Sequence, residues 1–442
     1  TDDTLTELKP ETQELLDLAR EAVETRLRVD LAHVDVHVVG KDDMAMWHRR
    51  SVTRGFLSRF DKRHLDRLAD DFVAERLDSL LAFYDETDKA IIYDAGNVVD
   101  YVQSLAAHEV SEREALLPLF IHEWVHAADD VRVDFSGMQA LYGGNDLAFS
   151  AVYEGHAELI AQSLCRQLAC EHGFEVAARG FRHRSRGYAS LDVLPGRSGD
   201  SSTLRYFEGR KYLERLVRMP DGQRLVDNTL HQPPRDAVTI FAADPRPDGA
   251  RERENRALQQ ALAQFDLPIE QGDWVQFAGN PVDANQFPTN RERRQKLVST
   301  RLRVVEGAAE TVFYEQSGDR LEPVELRVTR TTTALTAERY AADAARDFRR
   351  ASGGVVGASI SLKNLNAKRS TLTHAEHGID GLVFDVSAEL HRRGTQVGLL
   401  NFTAITSDAF VFEVVSGVPL DSHADTVRAG RRFLHALIDG AT

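Results

Sequence analysis

The stretch Ala115-Leu116-Leu117-Pro118-Leu119-Phe120-Ile121-His122-Glu123-Trp124-Val125-His126-Ala127-Ala128-Asp129-Asp130 decides how this chain is read. Its first seven residues form an apolar run too continuous for a surface helix, so the histidines that follow are expected in a buried segment. Ser111 and Glu114 form a capping-box pattern at the helix start, and Pro118 either kinks the early turns or marks a later start. Either choice leaves His122 and His126 helical. Residues four apart lie one above the other on a helix, so both imidazoles can reach one ion. Glu123 falls beside that ion, not on it. There a carboxylate can take a proton from a water that zinc has acidified.

A catalytic zinc takes three protein ligands and keeps one open position. The expected third ligand lies in Tyr153-Glu154-Gly155-His156-Ala157-Glu158, which follows the Gly143-Gly144 turn and reads as a second helix. Glu154 and Glu158 share one face, and an acidic pair on a mostly apolar helix is costly unless something neutralises it. Glu154 is therefore expected to ligate the metal. Glu158 is expected to orient a ligating histidine through its free ring nitrogen. His156 points roughly 160 to 200° away from Glu154 and reads as a packed or exposed histidine. His48, His172 and His183 have no partner at metal spacing and are expected to be solvated.

The two motifs together resemble the gluzincin metallopeptidases of the thermolysin-like clan. They are closest to a group of bacterial zinc peptidase-like proteins whose second helix reads Glu-Gly-x-Ala. The resemblance extends to Tyr206-Phe207-Glu208-Gly209 and Gln232-Pro233-Pro234, and it departs at Asp129 and Asp130, where that group carries glutamines. It implies a zinc-dependent peptidase: His122, His126 and Glu154 hold the metal, Glu123 is the general base, and a peptide or protein is the substrate. It also implies an oxyanion donor after the ligand helix. Tyr206 is the first choice and His231 the second, with Tyr212 and Arg235 in the same region. The runs Leu81–Asp85 and Ala90–Asp94 around Glu86-Thr87-Asp88 read as a hairpin, a candidate shelf for an extended substrate. Two alternatives stay open. One is a non-catalytic binding or chaperone-like protein with a structural zinc, and the other a zinc amidohydrolase acting on a small non-peptide substrate.

Other chemistries lack their signatures: there is no Gly-x-Ser-x-Gly elbow, phosphate-binding loop or dinucleotide fingerprint. A net charge of −15 argues against nucleic acid or an anionic membrane as a partner. No apolar run approaches the ~20 residues that span a bilayer. Cys165 and Cys170 are expected on one continuous helix, roughly 8 Å apart and beyond disulfide reach, hence as free thiols. An exported location is slightly favoured over a cytoplasmic one. The oligomeric state leaves no mark in the sequence.

With 442 residues, 42% of them hydrophobic, the chain is long enough for two or three cores. The expected fold class is α+β. Residues 1–290 are expected to form a mainly helical metallopeptidase domain with a small edge sheet. The turn-rich stretch 279–295 is the expected boundary, and residues 300–442 are expected to form an antiparallel sheet covered by helices. Helices are expected at 11–29, 62–80, 150–178, 203–218, 253–264, 336–351 and 422–439. The C-terminal part resembles PsbP-like domains at the level of fold, and no catalytic constellation stands out in it.

Overall fold

In the computed structural model, the residues described are 9–54, 66, 69–70, 73, 77, 80–134, 147–178, 203–234, 239–240, parts of 253–261, 274–279, 305–315, 322–352, 355–356, 360–374, 379–392 and 395–416. The fold is α+β, as expected, with helices dominating the first part and sheet the second. The chain divides into two compact units. The first comprises Thr1–Asn145, Phe149–His183 and Arg205–Pro233, and the second runs mainly from Pro234 to Thr442. The anticipated boundary lay some 50 residues further on. A strand at Trp274–Gly279 pairs antiparallel with Val305–Glu315, so the C-terminal sheet begins before the turn-rich stretch.

The first unit runs α1 (Pro10–Leu27), β1 (Asp35–Val39), α2 (Lys41–Arg54), β2 (Ala82–Asp85), β3 (Ala90–Asp94), α3 (Ala95–Ala106), α4 (Glu112–Val133), α5 (Leu147–Gln167), a π-helical turn (Thr203–Glu208), α6 (Gly209–Val217) and α7 (Gly222–His231). The hairpin forms as read, with Tyr84 opposite Ile91, and β1 adds to β3 in parallel. The strand order is β1-β3-β2, which leaves β2 at an edge.

The central element is α4. The Ser111 hydroxyl accepts from the Glu114 amide, the Glu114 carboxylate accepts from Ser111, and the full capping box is present. Pro118 sits inside the helix without ending it. Its missing N–H frees the Glu114 carbonyl, and Gly173 lies over that oxygen so closely that a Cβ there would come within 2.0 Å of it. Nearly every residue of α4 from Ala115 to Asp130 is buried. It packs in one core with Leu16, Ala19 and Val23 of α1, Ile91 and Tyr93 of β3, and Ala157, Ile160, Ala161 and Leu164 of α5. A helix hydrophobic on all sides belongs in the middle of a core.

Two expectations fail here. Helix α5 stops at Gln167, and Ala169 takes a left-handed conformation with φ 56°. The Cys170 amide then bonds back to the Cys165 carbonyl at 2.9 Å, the hydrogen-bonding pattern of a Schellman cap. That reversal brings the two Cα atoms to 4.5 Å, and Cys165 and Cys170 form a disulfide. The 8 Å expected on a continuous helix does not apply. His48, expected in solvent, is buried at 7% exposure with its ring edge toward Phe83.

In the second unit eight antiparallel strands take the order β4-β5-β6-β11-β10-β9-β8-β7. These are β4 (Trp274–Gly279), β5 (Val305–Glu315), β6 (Glu322–Thr331), β7 (Val355–Val356), β8 (Ile360–His374), β9 (Ile379–Arg392), β10 (Thr395–Ser407) and β11 (Phe410–Ser416). Helix α8 (Ala334–Ser352) packs on β10, β9 and β11. Its buried residues Ala337, Tyr340, Ala341, Ala344 and Ala345 trace one helical stripe. The helix expected at 422–439 lies outside the described residues, as does most of that at 62–80. Among the described residues no helix is long and apolar enough to cross a membrane.

Candidate metal centre

Helices α4 and α5 bring His122, His126 and Glu154 together. His122 Nε2 and His126 Nε2 are 3.0 Å apart, and Glu154 Oε2 lies 3.1 Å from the first and 3.2 Å from the second. Their ligand atoms form a group able to hold a metal ion. Tetrahedral ligands at roughly 2.0–2.1 Å from an ion stand about 3.3 Å from one another. The observed triangle is a few tenths of an ångström tighter, so the three side chains fit a small divalent ion with little rearrangement. The donor set argues the same way. Two imidazole nitrogens and a carboxylate oxygen facing one point offer lone pairs that a cation would satisfy.

The electrostatics follow from confinement. Burial alone would push the His122 imidazole down, but hydrogen bonds to Glu154 and Glu158 and the nearby charge of Glu123 outweigh it and hold it well above its usual range. Burial would raise Glu154, and the two histidines overcome that and hold its carboxyl far below the ordinary range. Glu123 goes the other way. Burial pushes its carboxyl up, the charge of Glu154 adds to the rise, and the histidines only partly offset it. The nearby Tyr84 backbone slightly favours its charged form.

Glu158 stands one turn beyond Glu154, with Oε1 3.4 Å from His122 Nδ1. That is where a group orienting the ring belongs. His156 is packed, as its opposite phase on α5 requires. It is 1% exposed and pairs through Nδ1 with Asp129 Oδ2 at 2.7 Å. Asp130 accepts from the Tyr84 hydroxyl at 2.7 Å and from the Lys89 ammonium. The two aspartates at the departure from the resembled pattern are thus both engaged, one with α5 and one with the hairpin.

Tyr206 lies on the π-helical turn, half-buried, its ring 5.7 Å from that of His122. Its placement depends on a close helix crossing. A Cβ on Gly155 would meet the Gly209 carbonyl carbon at 2.3 Å, and a Cβ on Gly209 would meet the Ala151 carbonyl oxygen at 1.9 Å. Only glycines allow α5 and the start of α6 to touch backbone to backbone. His231 is not among the three side chains grouped as candidate ligands. It ends α7 in solvent, next to the Leu230 carbonyl that accepts from the Tyr153 hydroxyl. Tyr212 is fully buried on α6, and Arg235 and His183 lie outside the described residues. His172 is exposed and bonds the His108 carbonyl.

The sequence reading missed Tyr84, Lys89 and the Gly155–Gly209 crossing as parts of this region. Only the Glu-Gly pair carried a trace of the last. Comparison of the chain with protein-family models, with curated proteins and with solved structures gives no match in any of the three.

Proposed function

We propose that this chain is a zinc-dependent peptidase. The observation that carries the reading is the convergence of His122, His126 and Glu154 with Glu123 on the same helix as the two histidines. Nitrogen and carboxylate donors in this number suit zinc, with His122, His126 and Glu154 as its ligands. When bound, the ion supplies a water of lowered pKa and a Lewis acid for a carbonyl oxygen.

The remaining steps belong to the chain. Glu123, one residue beyond a ligand, takes the proton of the attacking water and delivers it to the departing amide nitrogen. Its burial suits that task, because a carboxyl pushed upward accepts a proton more readily. Glu158 keeps the His122 ring in one orientation through Nδ1. Tyr206, beside His122, donates to the oxygen that gains charge. The edge strand β2 packs against α4 and offers main-chain groups to an extended peptide.

Two measurements test this together. Elemental analysis of protein purified without a metal column is expected to give one zinc per chain, lost in Glu154→Ala. Glu123→Gln is expected to keep the zinc and to lower hydrolysis of an internally quenched peptide mixture by about 10²- to 10⁴-fold, the range for a general base. Full activity in that variant would end the mechanism. Bound zinc with no chelator-sensitive hydrolysis would point to a binding role.

A further inference from the structure

Helices α4 and α5 meet in a polar contact besides the metal group. Asp129 lies three residues beyond His126 on α4, and His156 two beyond Glu154 on α5, less than one turn from a ligand on either helix. Asp129 Oδ2 and His156 Nδ1 stand 2.7 Å apart, and the two side chains are 0% and 1% exposed. The other Asp129 oxygen, Oδ1, faces Arg132 at 3.6 Å, and the same guanidinium reaches Asp227 of α7 at 2.7 Å. Helix α7 returns to α5, where the Tyr153 hydroxyl donates to the Leu230 carbonyl at 2.7 Å. Together these contacts close a ring through α4, α5 and α7.

The place of the pair on the helices decides its use. Glu154 and His156 point roughly 200° apart on α5, and each touches α4, Glu154 at the two histidines and His156 at Asp129. Ala157 falls between them in phase and is buried in the core that α5 shares with α4. The two side chains therefore grip α4 from opposite flanks of the contact face. Turning α5 about its axis would press one of them onto α4 and withdraw the other. Apolar attraction between helices has no direction, whereas a hydrogen-bonded pair has. A buried polar pair adds little stability over apolar residues of similar size, and its best-attested use is to fix register. We infer that Asp129 and His156 set the rotation of α5 on α4 and so deliver Glu154 to the two histidines. They are positioning residues: neither is a ligand, and Arg132 and Asp227 brace them from α7. The inference rests on the reading of His122, His126 and Glu154 as the metal ligands.

What such a pair contributes is preorganisation. A ligand set held in place loses less freedom on binding than one that must be gathered, and the difference appears as affinity. Loosening α5 leaves all three ligands present but unassembled, so zinc should bind more weakly although no donor atom is lost. A pair serving stability alone would lower the melting midpoint and leave the zinc affinity of the folded chain unchanged.

The test is zinc affinity, read on the full chain by competition with a chromophoric chelator at a temperature where circular dichroism shows every variant folded. Asp129→Asn and His156→Gln are each expected to weaken zinc about tenfold. The double variant is expected to lose no more than about twofold beyond either single one, as two halves of one link should. Val23→Ala, which opens the same core from α1, is the stability control and is expected to stay within about twofold of wild type. Arg132→Gln, at the partly exposed side of the ring, is expected to weaken zinc about threefold and decides the question if the buried substitutions do not fold. Wild-type affinity in the folded single variants, an equal loss in Val23→Ala, or a double-variant loss that is the product of the two singles overturns the positioning role. In each of those cases the chain still holds zinc, and the metal centre stands. A wild-type chain that takes up no zinc removes the centre and this role with it.

Discussion

Three ionisable side chains at the candidate centre carry opposite shifts, and these make the metal-free protein pH-sensitive in a defined window. The folded pKa of His122 lies above its usual value, so its contribution is complete below about pH 6.5 and is lost as pH rises through the folded value. Glu123 is also raised and disfavours folding once it is ionised. Glu154 is lowered, so its contribution is present above about pH 4.3 and is lost as pH falls through the folded value. Chelator-treated protein is therefore expected to melt higher at about pH 5.5 than at pH 8, and saturating zinc should abolish the alkaline loss. Equal midpoints at both pH values would contradict the coupling. At this scale much was legible. Helical arithmetic placed His122 and His126 on one face, and the cost of two buried carboxylates singled out Glu154 and Glu158. Tyr84 was not legible, since it lies 46 residues before its partner Asp130 and only strand packing joins them.

Among the elements, the end of α5 and the α5–α6 crossing carry the clearest consequences. Ala169 adopts a left-handed conformation that costs an alanine roughly 1 kcal/mol or more. Ala169→Gly is expected to stabilise the protein by about 0.5–1 kcal/mol, read as a higher denaturant midpoint at unchanged slope. The same alanine explains why the helix end was missed: the glycine that usually marks such a cap is absent. Gly209→Ala drives a methyl into the Ala151 carbonyl. It is expected to cost about 1–3 kcal/mol in a thermal melt while leaving zinc content intact, because no ligand moves into the clash. Lost zinc in a folded variant would mean the crossing supports Glu154 itself. The hairpin was legible from its alternating β-branched and aromatic residues. Strand β8 was not, because Lys368 and Arg369 and the neighbouring polar residues carry no apolar alternation to read.

Across the whole chain, the metal group lies within one of the two compact units. A ligand that binds only the folded form stabilises by mass action. Chelation is accordingly expected to lower one calorimetric transition and leave a second in place, and a uniform shift of a single transition would show that the units unfold together. The sequence by itself determined the α+β class, the central buried helix, the helix pair that brings His122, His126 and Glu154 together and the antiparallel character of the C-terminal sheet. Each of these is written in local periodicity or in spacing along one element, and neither needs knowledge of what packs against it. The tertiary structure alone decided where the units divide, how the two cysteines pair and what Asp129 and Asp130 bind. It alone also showed that two glycines let the Tyr206 turn approach His122. Those features depend on a reversal at a non-glycine residue, on strand pairing between segments distant in the sequence and on backbone contact between distant helices, and none of these leaves a period to count.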